Sequence, residues 1–148
     1  MIPDTTPDQF SHRIMATELA VRDALLFTRD WLNRQGLPEQ TCGSVELALA
    51  EVLNNIVEHA YAPDAAGEIR IAIALRPGRL CCLVRDDGAP LPYLAATDHT
   101  LPSRNVTRDN LPEGGFGWFL IKGLTDRLGY ERANGENRLT LEFRLDIT

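Results

Sequence analysis

Glu51 and Asn55 stand four residues apart in the segment ELALAEVLNNIVEHAY, one helical turn, so a carboxylate and a carboxamide can face the same ligand. Asn54, Glu58 and His59 extend the polar strip. Any one of them alone is accounted for by a solvated helix face, but adjacent asparagines are poor helix formers and weaken that account. A second candidate is VRDDGAPLP, where Asp86 can accept a hydrogen bond from an exocyclic amine and Gly88 lets the chain pass close to a flat ligand. On its own the stretch also reads as an ordinary Asp-Gly turn. A third is EGGFGWFLIKG, with Gly114, Gly115 and Gly117 at a helix entrance. Backbone N–H groups there can approach an anion, phosphate above all, although a hinge would use the same residues. The pattern is neither GxxxxGK[ST] nor a dinucleotide fingerprint, because a long loop and not a strand comes before it.

The elements that must position these groups follow from hydrophobic period. Thr17 predicts an N-cap, and Val21, Ala24, Leu25, Thr28, Trp31 and Leu32 recur at threes and fours from Glu18 to Gln35, closed by Gly36 and Pro38. A longer helix is predicted over 38–61, with Val45, Leu49, Val52, Leu53, Ile56 and Ala60 on one stripe. EIRIAIALR and RLCCLVRDD, separated by Pro77 and Gly78, predict a hairpin. SHRIMATE predicts an edge strand carrying an edge or surface His12, and residues 1–9 are expected to fray. Residues 89–114 hold no sustained period, and a connection of that length predicts a functional lid or a mobile loop. WFLIKGLTDRLG then predicts a helix, and YERANGENRLTLEFRLDIT two strands around NGEN. The fold class is α+β, a single domain with helices on one face of a mainly antiparallel, mixed sheet.

Composition narrows the function. The chain has 148 residues, 44% of them hydrophobic, and a formal net charge of −6. That acidity argues against direct binding of a nucleic-acid backbone. A start without a basic segment followed by an apolar one, and the lack of any long apolar run, predict a cytoplasmic protein that neither crosses nor sits on a membrane. The three cysteines include no CxxC pair, and Cys81 with Cys82 reads as buried packing, so structural zinc is not expected.

The order E-x-x-x-N, then D-x-G-x-P, then a lid-like loop, then G-G-x-G resembles the N, G1 and G2 boxes of the GHKL (Bergerat-fold) ATPase and kinase superfamily. ELALAEVLNNIVEHAY, VRDDGAPL and GGFGWFLIKGLTD resemble, more narrowly, the small RsbW-type anti-sigma factor serine/threonine kinases, over roughly residue 10 to the end. The resemblance implies a two-layer α/β sandwich that binds ATP and Mg2+. In it Asn55 would be the Mg2+ ligand, and Glu51 the general base for a serine hydroxyl attacking the γ-phosphate. Asp86 would hold the adenine amino group and Gly88 shape its pocket, while Gly115 and Gly117 would offer amides to the phosphates. Thr140 matches a hydroxyl position that supports the base, and Arg104 and Arg108 of the lid would be within reach of the phosphates. The implied role is partner switching: phosphorylation of a serine on a STAS-domain anti-anti-sigma antagonist, sequestration of a sigma factor or other regulator, and homodimerisation through helix one or the first strand. Arg22, Arg29 and Arg34 on that helix are partner contacts or simply a solvated face.

Departures from the family pattern are Pro90, where relatives carry a second glycine, and Phe116 and Trp118 in the last box. None replaces a residue with a chemical role, so altered affinity is the expectation. A sensor histidine kinase would need a phosphoacceptor helical hairpin, which His12 lacks. The rival reading is a module that binds ATP and sequesters its target without phosphorylating anything.

Overall fold

The computed structural model describes residues 2–61, 67–91, 100–101 and 116–145. Seven strands form one sheet: β1 (Asp4–Thr6), β2 (Gln9–Met15), β3 (Glu68–Arg76), β4 (Arg79–Asp86), β5 (Thr100–Leu101), β6 (Arg127–Ala133) and β7 (Glu136–Arg144). Their spatial order is β1-β2-β3-β4-β7-β6-β5. Every pairing among the described strands is antiparallel, in keeping with the expected mainly antiparallel sheet, and no parallel pair occurs among them. Among the described residues three α-helices accompany the sheet: α1 (Glu18–Arg34), α2 (Glu39–Asn55) and α3 (Phe116–Leu124).

Alternation decides which sheet face is covered. Phe10, Ile14, Ile69, Ile71, Ile73, Leu80, Cys82, Val84, Leu139, Leu141 and Phe143 are buried, and register sets them side by side across β2, β3, β4 and β7. The helices lie over that face, with Val21, Ala24, Trp31 and Leu32 of α1 and Val45, Leu49, Val52 and Leu53 of α2 in the same core. The Thr17 hydroxyl accepts from the Ala20 amide and starts α1 as expected. Arg29 pairs with Glu39 and Glu46 of α2, and Arg34 with Asp30, so two of the three α1 arginines bind within the chain.

Several boundaries differ from expectation. The start does not simply fray: β1 pairs with β2, and the Trp31 indole donates to the Thr6 carbonyl at 3.0 Å. β2 is therefore flanked on both sides, and His12 is buried with its ring edge-on to Phe10 and Phe27. An aromatic slot, not the sheet edge, is its environment. Cys82 is buried and Cys81 half-buried. The 38–61 helix loses its α geometry after Asn55 and continues as a π-helical turn over Ile56–Ala60. α3 stops at Leu124, because 127–129 are already in β6. The β6–β7 turn is built on Asn134 (φ 55°) and Gly135 (φ 76°), the left-handed pair that a two-residue hairpin favours. Of the expected lid, residues 92–99 and 102–114 lie outside the described residues, and Thr100–Leu101 pairs with β6. Among the described residues, no helix is long and apolar enough to cross a membrane.

Candidate functional site

Asp86 is the last residue of β4 and belongs by alternation to the apolar, helix-covered face; it is 0% exposed. Its Oδ1 accepts from the Gly88 amide and from Asn137 Nδ2, both at 2.9 Å. Its Oδ2 is buried and has no hydrogen-bond partner among the described residues. Burial pushes the carboxyl above the ordinary aspartate range, and the bonds from Asn137 and Gly88 pull partly against it. A buried carboxylate oxygen left over in this way is an acceptor waiting for a donor, which fits an exocyclic amine.

The turn after Asp86 is hooked onto the end of α2. The Ala89 amide donates to the Ala60 carbonyl at 2.6 Å, and a Cβ on Gly88 would lie 2.3 Å from that same oxygen. Only a residue without a side chain allows so close an approach of two backbones. Tyr61 adds a second hook: its phenol donates to the Glu68 carbonyl at 2.8 Å and accepts from the Asp87 amide at 2.9 Å. On the outer face, Arg70 bonds both oxygens of Asp87 at 3.1 Å and reaches Glu136 at 2.7 Å. This holds the Asp87 carboxyl below its ordinary range and leaves Asp87 a strut of the turn.

At the last position of α2, directly before the π-helical segment, Asn55 is 7% exposed, and its Nδ2 donates to the Glu51 carbonyl at 2.6 Å. Using the amide nitrogen in this way aims Oδ1 in the other direction, the orientation an oxygen-seeking cation requires. Glu51 is half-buried, while Asn54, Glu58 and His59 are exposed, so the solvated-face account holds for those three. The hook at Ala60 brings the Glu51–Asn55 helix and the Asp86–Ala89 turn together. Gly117 is the second residue of α3, which packs on α2; Gly115, Arg104 and Arg108 lie outside the described residues. Trp118 is buried in the core.

Thr140 does not join this group. On β7 the residues facing the helices are Asn137, Leu139, Leu141 and Phe143, so Thr140 projects from the opposite face and is exposed, opposite Leu83 and Gly129. The β7 residue that reaches Asp86 is Asn137, directly across the register. Sequence reasoning missed it, together with Tyr61, Tyr130 and Arg132. The available signal was a polar residue at a parity otherwise taken by Leu139, Leu141 and Phe143. A cavity of about 900 Å³, lined by Leu37, Thr41, Arg76 and Phe143, opens at the other end of the sheet. The chemistry, not the volume, locates the site.

Comparison with known proteins places the fold in a family. Residues 14–143 match the histidine kinase-like ATPase domain family. Serine-protein kinase RsbW of Bacillus mycoides is 35% identical over 112 residues, 75% of this chain and 69% of that protein. The RsbW of Bacillus cereus is 34% identical with the same coverage. Among solved structures, the RsbU and RsbW domains of Rv1364c from Mycobacterium tuberculosis superpose with a TM-score of 0.67 at 24% identity. That match covers 93% of this chain but 32% of the longer one. The histidine kinase domain of a blue-light activated kinase from Erythrobacter litoralis gives 0.51 at 22% identity, over 73% of this chain and 46% of that one. The chain belongs to the histidine kinase-like ATPase family and, within it, to the RsbW-type ATP-dependent serine/threonine protein kinases.

Proposed function

We propose that ATP lies between the end of α2 and the Asp86–Ala89 turn, and that its γ-phosphate goes to a serine of a STAS-domain anti-anti-sigma protein. The observation that carries the reading is the buried, unpartnered Oδ2 of Asp86 on a turn fastened to the helix bearing Glu51 and Asn55. Asp86 accepts the adenine amino group, and Gly88 keeps the pocket floor thin. Asn55 Oδ1 is the protein ligand for Mg2+, which when bound screens the phosphate charge. Glu51 takes the serine proton as Oγ bonds to the γ-phosphorus and the bond to the β,γ-bridging oxygen breaks, releasing ADP. Gly115 and Gly117 supply backbone amides to the phosphates, with Arg108 beside them.

Freed of its antagonist, the protein holds a sigma factor or a comparable regulator in the cytoplasm. Phosphorylation releases the antagonist because the added negative charge meets a protein that already carries −6. Homodimerisation uses the outer side of α1, where Leu19 and Leu26 are 69% and 64% exposed and seven residues apart on one face. The test is incubation with γ-labelled ATP, Mg2+ and the STAS protein encoded nearest to this one. Label on a serine supports the kinase; stable binding without label in the presence of ATP favours a sequestering module and overturns the transfer step.

A further inference from the structure

Asp86 is held by a second layer of side chains that the motif pattern does not contain. Asn137 is 0% exposed and every polar position of its carboxamide is engaged. Nδ2 donates to Asp86 Oδ1 at 2.9 Å and to the Ala89 carbonyl at 2.8 Å. Oδ1 accepts from the Tyr130 hydroxyl at 2.5 Å and from an Arg132 guanidinium nitrogen at 2.9 Å. That same nitrogen of Arg132 donates to the Gly88 carbonyl at 2.8 Å. With a guanidinium donor on its oxygen and two acceptors on its nitrogen, the amide cannot rotate by half a turn without losing its bonds to Arg132, Asp86 and Ala89. It therefore always shows N–H to Asp86.

We infer that Asn137 is the positioning residue that makes this site choose a 6-amino over a 6-oxo purine, by fixing Asp86 as a pure hydrogen-bond acceptor. The inference rests on the adenine-nucleotide reading above and adds to it which side chain enforces the choice. The alternative state of Asp86 explains why enforcement is needed. A carboxyl with no exposed surface is pushed toward its neutral form, and a neutral Asp86 would present an O–H to the ligand. An O–H suits the 6-oxo group of a hypoxanthine or guanine base, whereas an ionised oxygen repels it. The Asn137 bond is the strongest influence holding the carboxyl down, ahead of the Gly88 amide and the Arg132 charge. Among the described residues the titratable and charged groups around Asp86 are Asp87 on its own turn, Tyr61 after the π-helical segment, and Tyr130 and Arg132 on β6. Of these Asp87 acts to raise it and Arg132 to lower it.

The test replaces Asn137 by the isosteric pair Thr and Val, which differ in one hydroxyl donor, and measures ATP and ITP binding competitively as pH falls. In the unaltered protein the ATP preference is expected to stay level from about pH 8 to about pH 6. In Asn137→Val it is expected to fall about tenfold or more over that range, one unit of pKa being a factor of ten in protonation. Asn137→Thr, which keeps a donor for Asp86, should hold the preference level. A level ratio in Asn137→Val, or Thr and Val proteins that behave alike, overturns the inference while leaving the adenine site standing. An unaltered protein that binds neither nucleotide overturns both. Should Asn137→Val not fold by circular dichroism, Tyr130→Phe removes the anchor of the amide oxygen; a ratio that drops with pH supports the inference, and a level one overturns it.

Discussion

Gly88 and Ala60 meet backbone to backbone: the Ala60 carbonyl accepts from the Ala89 amide at 2.6 Å, and a Cβ on Gly88 would sit 2.3 Å from the same oxygen. This contact is the joint between the helix that carries Glu51 and Asn55 and the turn that carries Asp86. Neither backbone can retreat cheaply, because Tyr61, which follows Ala60, ties Asp87, the residue before Gly88, to the start of β3. Gly88→Ala should therefore cost about 1–3 kcal/mol of stability through overpacking, and weaken ATP more than its loss of stability accounts for. Thermal melts with and without nucleotide check both parts. A variant as stable and as tight as the original would show that the joint yields freely.

Asn55→Ala tests the metal role. The substitution gains helix propensity and loses one bond to Glu51, so stability should move by less than about 1 kcal/mol. Losing a direct ligand should weaken Mg-ATP by at least the about 10- to 100-fold that outer-shell losses cost, with little effect on metal-free nucleotide. Calorimetry with Mg2+ and with a chelator separates the two. Equal affinity losses in both conditions would take Asn55 out of the metal site.

Glu51→Gln separates binding from transfer. The side chains are nearly isosteric and Glu51 is half-buried, so nucleotide affinity should hold within a few-fold. Phosphoryl transfer to the STAS serine should drop by about a hundredfold or more, the scale of a lost general base. Single-turnover assays with labelled ATP read the step directly. Undiminished transfer would assign the proton to another group.

Asp86→Asn should stabilise the protein at neutral pH while spoiling its choice of base. The Asp86 carboxyl titrates above its ordinary 3.8 in the fold, so between the two values the folded state binds more protons than the unfolded one. Stability linked to this group therefore falls as pH rises from the carboxylate range through the raised value. Asparagine carries no charge to desolvate, so its advantage should be full at neutral pH and vanish in acid. Denaturant melts at a series of pH values give the sign. A variant less stable than the original at neutral pH would contradict the direction of the shift, and unchanged preference for ATP over GTP would remove Asp86 from base recognition.

The chain itself announced most of the elements and the order of the site motifs. Thr17 capping α1, the stripe from Val45 to Ala60, the hairpin around Pro77 and Gly78, and the Asn134–Gly135 turn all depend on neighbours within a few residues, where period and turn chemistry act. Parity along β7 even carried an unread clue, Asn137 standing in line with Leu139 and Leu141 while Thr140 stands with Arg138 and Glu142. What folding alone decided is pairing between distant segments. Asp86 and Asn137, 51 residues apart, meet through a β4–β7 register that hydrogen bonds across the sheet set, and no period inside either strand encodes it. The burial of His12 needed β1 on one side and Phe27 of α1 beside it. The π-helical turn at Ile56–Ala60 arises where α2 meets the Asp86 turn, since local propensity specifies a helix but not the contact that bends its hydrogen bonding.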